Sequence, residues 1–182
     1  EPNILSTDHA SYSYLFSNKV TLNQSATLQS LSFYVSGGSG NMRMGVYDAT
    51  GTGGNPGTLL AKTPEFAVTT GWNTQNVITP VLLEPGDYWL AFQVSSISIV
   101  FKRDATGVAK WFARTYQDLP ETFSETLNTA TRHWSIYATL VSEPMRIANG
   151  IDELNVGTAI HVYPNPFYNK TEIQYDIEEE CL

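Results

Sequence analysis

"DYWLAFQV", residues Asp87–Val94, alternates with a period of two. Tyr88, Leu90 and Phe92 share one face of the implied strand. Trp89, Ala91 and Gln93 share the other. Successive side chains of a strand point to opposite faces, so apolar residues on both sides mark a strand covered on both faces. Such a strand belongs at the centre of a sheet, with Trp89 in a core. Turn chemistry precedes it at Glu84-Pro85-Gly86-Asp87.

The same alternation recurs along the first 141 residues. Tyr12, Tyr14 and Phe16 share one face of a strand, as do Leu31, Phe33 and Val35 in a second. Met42, Met44 and Val46 share a third, with Arg43 and Tyr47 opposite. Further strands are expected over 59–68, 76–83, 98–102, 109–116 and 133–141. Glycine-rich or Thr-Gly stretches separate them at Gly37–Gly40, Gly51–Gly57 and Thr70-Gly71. No segment sustains a 3.6-residue period. Eight or nine strands in about 130 residues fit an all-β antiparallel sandwich, jelly-roll-like in character. Alternation alone does not separate a plain sandwich from a strict jelly roll.

Composition narrows the function classes. The 182 residues are 42% hydrophobic and 12% aromatic, enough for a substantial core, and only 15% charged. The net charge of −8 is uneven: ten acidic and eight basic residues in 1–141 give −2, while eight acidic and two basic in 142–182 give −6. A nearly neutral body lacks the basic stripe that a nucleic-acid surface needs. No apolar run approaches the length of a membrane-spanning helix. The single cysteine, Cys181, allows neither a disulfide framework nor a thiolate metal site within the chain. The chain begins Glu1-Pro2-Asn3 and reads as part of something longer.

Catalytic signals are weak. His9, His133 and His161 are far apart. There is no Gly-x-Ser-x-Gly elbow and no histidine pair four residues apart. The carboxylate pairs Glu84/Asp87 and Glu121/Glu125 fall in turns. No enzyme activity is expected. The loop Asp48–Gly57 places Asp48, Thr50 and Thr52 at the first, third and fifth positions of a calcium loop, but the twelfth is Leu59 where an EF-hand needs glutamate. An EF-hand is excluded; a structural calcium held by backbone carbonyls stays open.

Trp72 follows Gly71 at a turn and is expected to cap one end of the core, and Trp134 to join the core. Trp111 differs. It lies within Phe101–Pro120, where Lys102, Arg103, Lys110 and Arg114 concentrate half of the body's eight basic residues. If Phe112 points inward, Trp111 points outward. An exposed indole beside polar side chains suits a sugar, because the ring stacks on the C–H face and the neighbours hydrogen-bond the hydroxyls. The candidate site is therefore Trp111 with Arg103, Asp104 and Arg114, and Tyr116 as a second ring.

Two resemblances add to this reading. "VYPNPF", Val162–Phe167, followed by Thr171, Ile173, Tyr175 and Ile177, resembles the opening of the C-terminal sorting domain of the bacterial type IX secretion system. "GIDEL", Gly150–Leu154, resembles its usual lead-in. The family domain continues for several more strands, so 161–182 is read as a truncated start and 142–160 as a linker. "MGVYDATGTGGNPGTLLAKT", "TGWN" and "LEPGDYWLAFQV" together resemble non-catalytic β-sandwich modules of secreted bacterial proteins. These resemblances imply a secreted or surface-anchored protein handled by the type IX machinery. The expected function is carbohydrate binding, as an accessory module to other domains of the same chain. The competing expectation is a structural or adhesive module.

Overall fold

A computed structural model describes residues 6–9, 13–124 and 126–142, the side chain of His9 aside. The linker and the sorting-domain box lie outside the described residues, as does Tyr12. Thirteen strands and no helix occur among the described residues, and none of these residues forms a helix long and apolar enough to cross a membrane.

The strands form two antiparallel sheets packed face to face as an all-β sandwich. In the first sheet, β3 (Ala26–Gly37) is central. One edge of β3 pairs with β7 (Gly71–Leu83). Its other edge pairs with β13 (Ile136–Ser142) and, near Val35, with β9 (Val100–Asp104). β1 (Ser6–His9) and β12 (His133–Trp134) flank β9. The second sheet runs β11 (Asn128–Ala130), β10 (Ala109–Ala113), β2 (Tyr14–Leu22), β8 (Gly86–Val94), β4 (Asn41–Asp48) and β5 (Leu59–Lys62). β6 (Phe66–Ala67) extends the β5 edge of β4.

β8 is thus central, with β2 on one side and β4 on the other. The stretch expected as one strand over 59–68 is two, β5 and β6, separated by Thr63-Pro64-Glu65. Proline has no N–H for a ladder bond, and the break falls at Pro64. The expected 133–141 strand also divides, at Ser135, where the chain leaves β9 and joins β3.

The main core lies between the sheets. Leu31, Phe33, Val35, Met42, Met44, Leu90 and Phe92 are buried in it. Its centre is aromatic: Phe92 packs 4.6 Å from Phe33, 5.5 Å from Phe101 and 5.1 Å from Trp134 between ring centres. Edge-to-face and offset rings add to simple area burial.

A second, smaller core lies on the outer face of the β8 sheet. Leu15, Tyr47, Trp89 and Ala91 point there, and the segment after β10 lays Leu119 and Phe123 over them. Trp89 is 1% exposed, and its indole N–H donates to the Gly54 carbonyl at 3.1 Å. Both faces of β8 are therefore covered, one by the opposite sheet and one by a loop.

Candidate functional site

The five residues expected to form one site do not share one surface. Alternation does separate Trp111 from Phe112, but the outer face of this sheet is itself covered. Phe112 joins the outer cluster, 4.9 Å from Phe123. Trp111 packs against the main core, 6.4 Å from Phe16, and carries the Arg132 guanidinium 5.9 Å above its ring. One face of the Trp111 ring is thus covered by a cation.

Arg103 lies in the same neighbourhood. Its Nε is 2.9 Å from an Asp8 carboxylate oxygen, which also lies 3.6 Å from Arg132. The Trp134 indole N–H donates to that oxygen at 3.3 Å. Trp111, Arg132, Asp8, Arg103 and Trp134 together close one end of the sandwich and tie β1 to β9 and β12. Asp104 points the other way and is buried. Its carboxylate accepts from the Thr106 N–H at 2.8 Å and hydroxyl at 2.6 Å, which fixes the turn after β9.

Arg114 and Tyr116 lie elsewhere, over the outer face of the other sheet. Arg114 donates to the Asp118 carbonyl at 2.8 Å, and its own carbonyl accepts from Gln93 at 2.7 Å. The Tyr116 ring sits beneath Arg43, 5.6 Å from the guanidinium carbon. Burial and the Glu65 carboxylate both raise its hydroxyl pKa above the ordinary tyrosine value. Arg43, Glu65, Lys62 and Asp118 form an ion-pair network beside it, with Arg43–Glu65 at 2.6 Å and Lys62–Asp118 at 2.7 Å. This cluster holds the segment after β10 onto the sheet.

The exposed aromatic surface is on the opposite side of the molecule. Of the four tryptophans, Trp72 is the most exposed, at 39%. It stands on the outer face of the β3 sheet, next to Tyr34 at 5.5 Å and Tyr137 at 4.9 Å, both edge-to-face. Local alternation builds this row. Asn73, Val77 and Leu83 of β7 are buried, so Trp72, Thr74, Asn76, Ile78 and Leu82 face out. Tyr34 lies opposite Trp72 in the ladder, and Ser32 hydrogen-bonds Thr74 through their hydroxyls at 2.7 Å. β3, β7 and β13 contain no Asp, Glu, Lys, Arg or His. These three strands therefore present a strip of rings, hydroxyls, amides and the aliphatic Ile78 and Leu82 without a charged side chain of its own. Along β7, the ten steps from Trp72 to Leu82 span about 33 Å at strand rise.

In the Asp48–Gly57 loop the aspartate carboxylate is engaged by the loop's own donors. Burial raises the Asp48 carboxyl pKa, but hydrogen bonds from Thr50 and Thr58 more than offset this and hold it below its ordinary value. One oxygen accepts from the Thr50 hydroxyl at 2.6 Å and the Thr58 N–H at 2.8 Å. Among the described residues no group of three or more His, Cys, Asp or Glu is placed to hold a metal ion.

Comparison with protein-family models, curated proteins and solved structures finds no match to this chain.

Proposed function

We propose that the protein is a non-catalytic carbohydrate-binding module, and that its platform is the Trp72–Tyr34–Tyr137 face rather than the Trp111 end. The observation that carries this reading is the most exposed indole of the chain standing in an aromatic row on three strands without a charged residue. Stacking on the C–H face of a pyranose needs an accessible ring, and hydroxyls and amides beside it supply the directional bonds. Strands β3, β7 and β13, which carry no ionic group of their own, favour a neutral polysaccharide along the strip. The length of β7 fits a glycan chain of several residues lying along the strand.

The accessory role follows from weak binding made useful by tethering. A module that holds its neighbours near a polymer raises their effective concentration without chemistry of its own. The Val162–Phe167 box supports a secreted or cell-surface location by type IX export.

One observation favours a second reading, docking onto a protein. Ile78 is 61% and Leu82 51% exposed on the same strip, and exposed apolar side chains beside an aromatic row also suit a protein partner. The deciding experiment is a polysaccharide depletion assay and glycan array with the whole chain, run beside Trp72→Ala and Ile78→Ser/Leu82→Ser. Retention on neutral glycans that Trp72→Ala abolishes supports the carbohydrate reading. Failure to bind any glycan removes it.

A further inference from the structure

Resting on the Trp72 platform proposed above, we infer that its ligand is a single polysaccharide chain free to turn about its glycosidic bonds, dissolved or in an amorphous matrix, and not the flat face of a crystalline polysaccharide. The tilt of the rings carries this. The Trp72 indole lies at 71° to the ring of Tyr34 and at 66° to the ring of Tyr137, with centres 5.5 and 4.9 Å away. Trp72 is thus coplanar with neither tyrosine. Stacking on a sugar requires the aromatic ring to lie parallel to the C–H face it covers. A crystalline face presents all its sugar rings in one plane. Laid flat on the indole, it meets both tyrosines near edge-on; laid flat on a tyrosine, it meets the indole near edge-on. A free chain turns between one sugar and the next, so successive sugars can meet rings of different tilt.

Packing fixes the tilt before any ligand arrives. The three rings come from neighbouring strands, Tyr137 from β13, Tyr34 from β3 and Trp72 from β7. Neighbouring strands are rotated by about 20–25°, which turns side-chain directions from one strand to the next. Trp72 lies opposite Tyr34 in the ladder, whereas Tyr137 lies opposite Ser32 on the far edge of β3. The indole therefore reaches across β3 to meet Tyr137. Both tyrosines are half-buried, and each meets the indole edge-to-face, an arrangement that ring quadrupoles favour over a coplanar or sandwiched set. A row held this way loses little freedom on binding. The polar groups agree with a free chain. Ser32 is buried and shares a hydroxyl bond with the exposed Thr74 at 2.7 Å. A hydroxyl both donates and accepts, so Thr74 keeps capacity for a sugar hydroxyl. Chains in a crystal spend many of their hydroxyls on one another, whereas a hydrated chain exchanges them readily.

The test is a set of depletion isotherms of the whole chain on cellulose and chitin, each as microcrystalline powder and as acid-swollen amorphous material, beside affinity electrophoresis in hydroxyethyl cellulose, glycol chitin, xyloglucan and mixed-linkage β-glucan. Binding to at least one amorphous or soluble glycan should be tighter than to either crystalline powder by about 5-fold or more, the loss expected when one ring contact is forfeited. Tyr137→Ala, confirmed as folded by urea denaturation, should weaken binding to that glycan by about 5-fold or more. Equal or tighter binding to a crystalline powder overturns the inference, and so does unchanged affinity in folded Tyr137→Ala; both leave the Trp72 platform standing if Trp72→Ala abolishes the binding. No binding to any glycan in any form removes the platform and the inference together. Should Tyr137→Ala fail to fold, the comparison of crystalline with amorphous material in the unaltered protein decides by itself.

Discussion

Replacing Trp72 and Trp111 by alanine in parallel separates platform from packing. Trp72 makes two edge-to-face contacts, at 5.5 and 4.9 Å, and keeps 39% of its surface exposed. Each such contact is worth about 0.5–1.5 kcal/mol beyond area. Trp72→Ala should therefore cost stability on the order of 1–3 kcal/mol. Truncating a central ring at a binding surface costs on the order of 1–3 kcal/mol of binding, roughly a 5- to 150-fold loss of affinity. Trp111 is half-buried against the main core and under Arg132. Its truncation should cost stability of about 2–4 kcal/mol, somewhat below the 3–5 kcal/mol of a fully buried ring, and should leave glycan affinity unchanged. Urea denaturation gives the stabilities, and affinity electrophoresis in polysaccharide gels, run well below each midpoint, gives the binding. Trp72→Phe keeps a ring and should retain part of the affinity. If folded Trp111→Ala loses binding while Trp72→Ala keeps it, the site lies at the end of the sandwich and the reasoning fails.

Two further outcomes follow from the packing. Burial pushes the His133 imidazole below its ordinary value, against the opposing pull of the Asp104 carboxylate. The unfolded chain then takes up the proton first, so stability is full above about pH 6.5 and falls as pH drops toward the lower folded value; His133→Gln should flatten that part of a stability–pH curve, and an unchanged slope would exclude the histidine as its source. Trp89→Ala should destabilise by about 3–5 kcal/mol and also free the Gly54 carbonyl it holds, so native-state amide exchange at Gly51, Gly54 and Gly57 should quicken more than at Phe33 in the main core.

The strands were legible because alternation is a local consequence of strand geometry. Leu31/Phe33/Val35 and Met42/Met44/Val46 each point into the core from one face, as the period-two pattern requires. The doubly covered nature of "DYWLAFQV" was legible for the same reason. The second core was not. Leu119, Phe123 and Leu127 follow no period, because a loop that covers a sheet is shaped by what it covers and not by its own repeat. The strand break at Pro64 had a visible signal in the proline itself, outweighed by apolar residues on either side.

The grouping of the five site residues rested on one assumption with a physical content. Opposing Phe112 to Trp111 is correct, but "one in, one out" holds only for a sheet with a bare outer face. Once Leu119 and Phe123 cover the β8 sheet, Phe112 and Trp111 both have apolar neighbours. Exposure must then be sought on the other sheet, where the charge-free strands β3, β7 and β13 were readable as composition but not as one face. Nothing local says that Trp72, Tyr34 and Tyr137 are neighbours, because they come from three separate strands, with Tyr34 and Tyr137 103 positions apart in the sequence. Their meeting is a product of the ladder register that sets Tyr34 opposite Trp72 and Tyr137 opposite Ser32. The same register that buries Phe33 forces Tyr34 outward. The aromatic row is therefore a consequence of the core, and a one-residue slip of β7 against β3 would turn the inward and outward sets of β7 over.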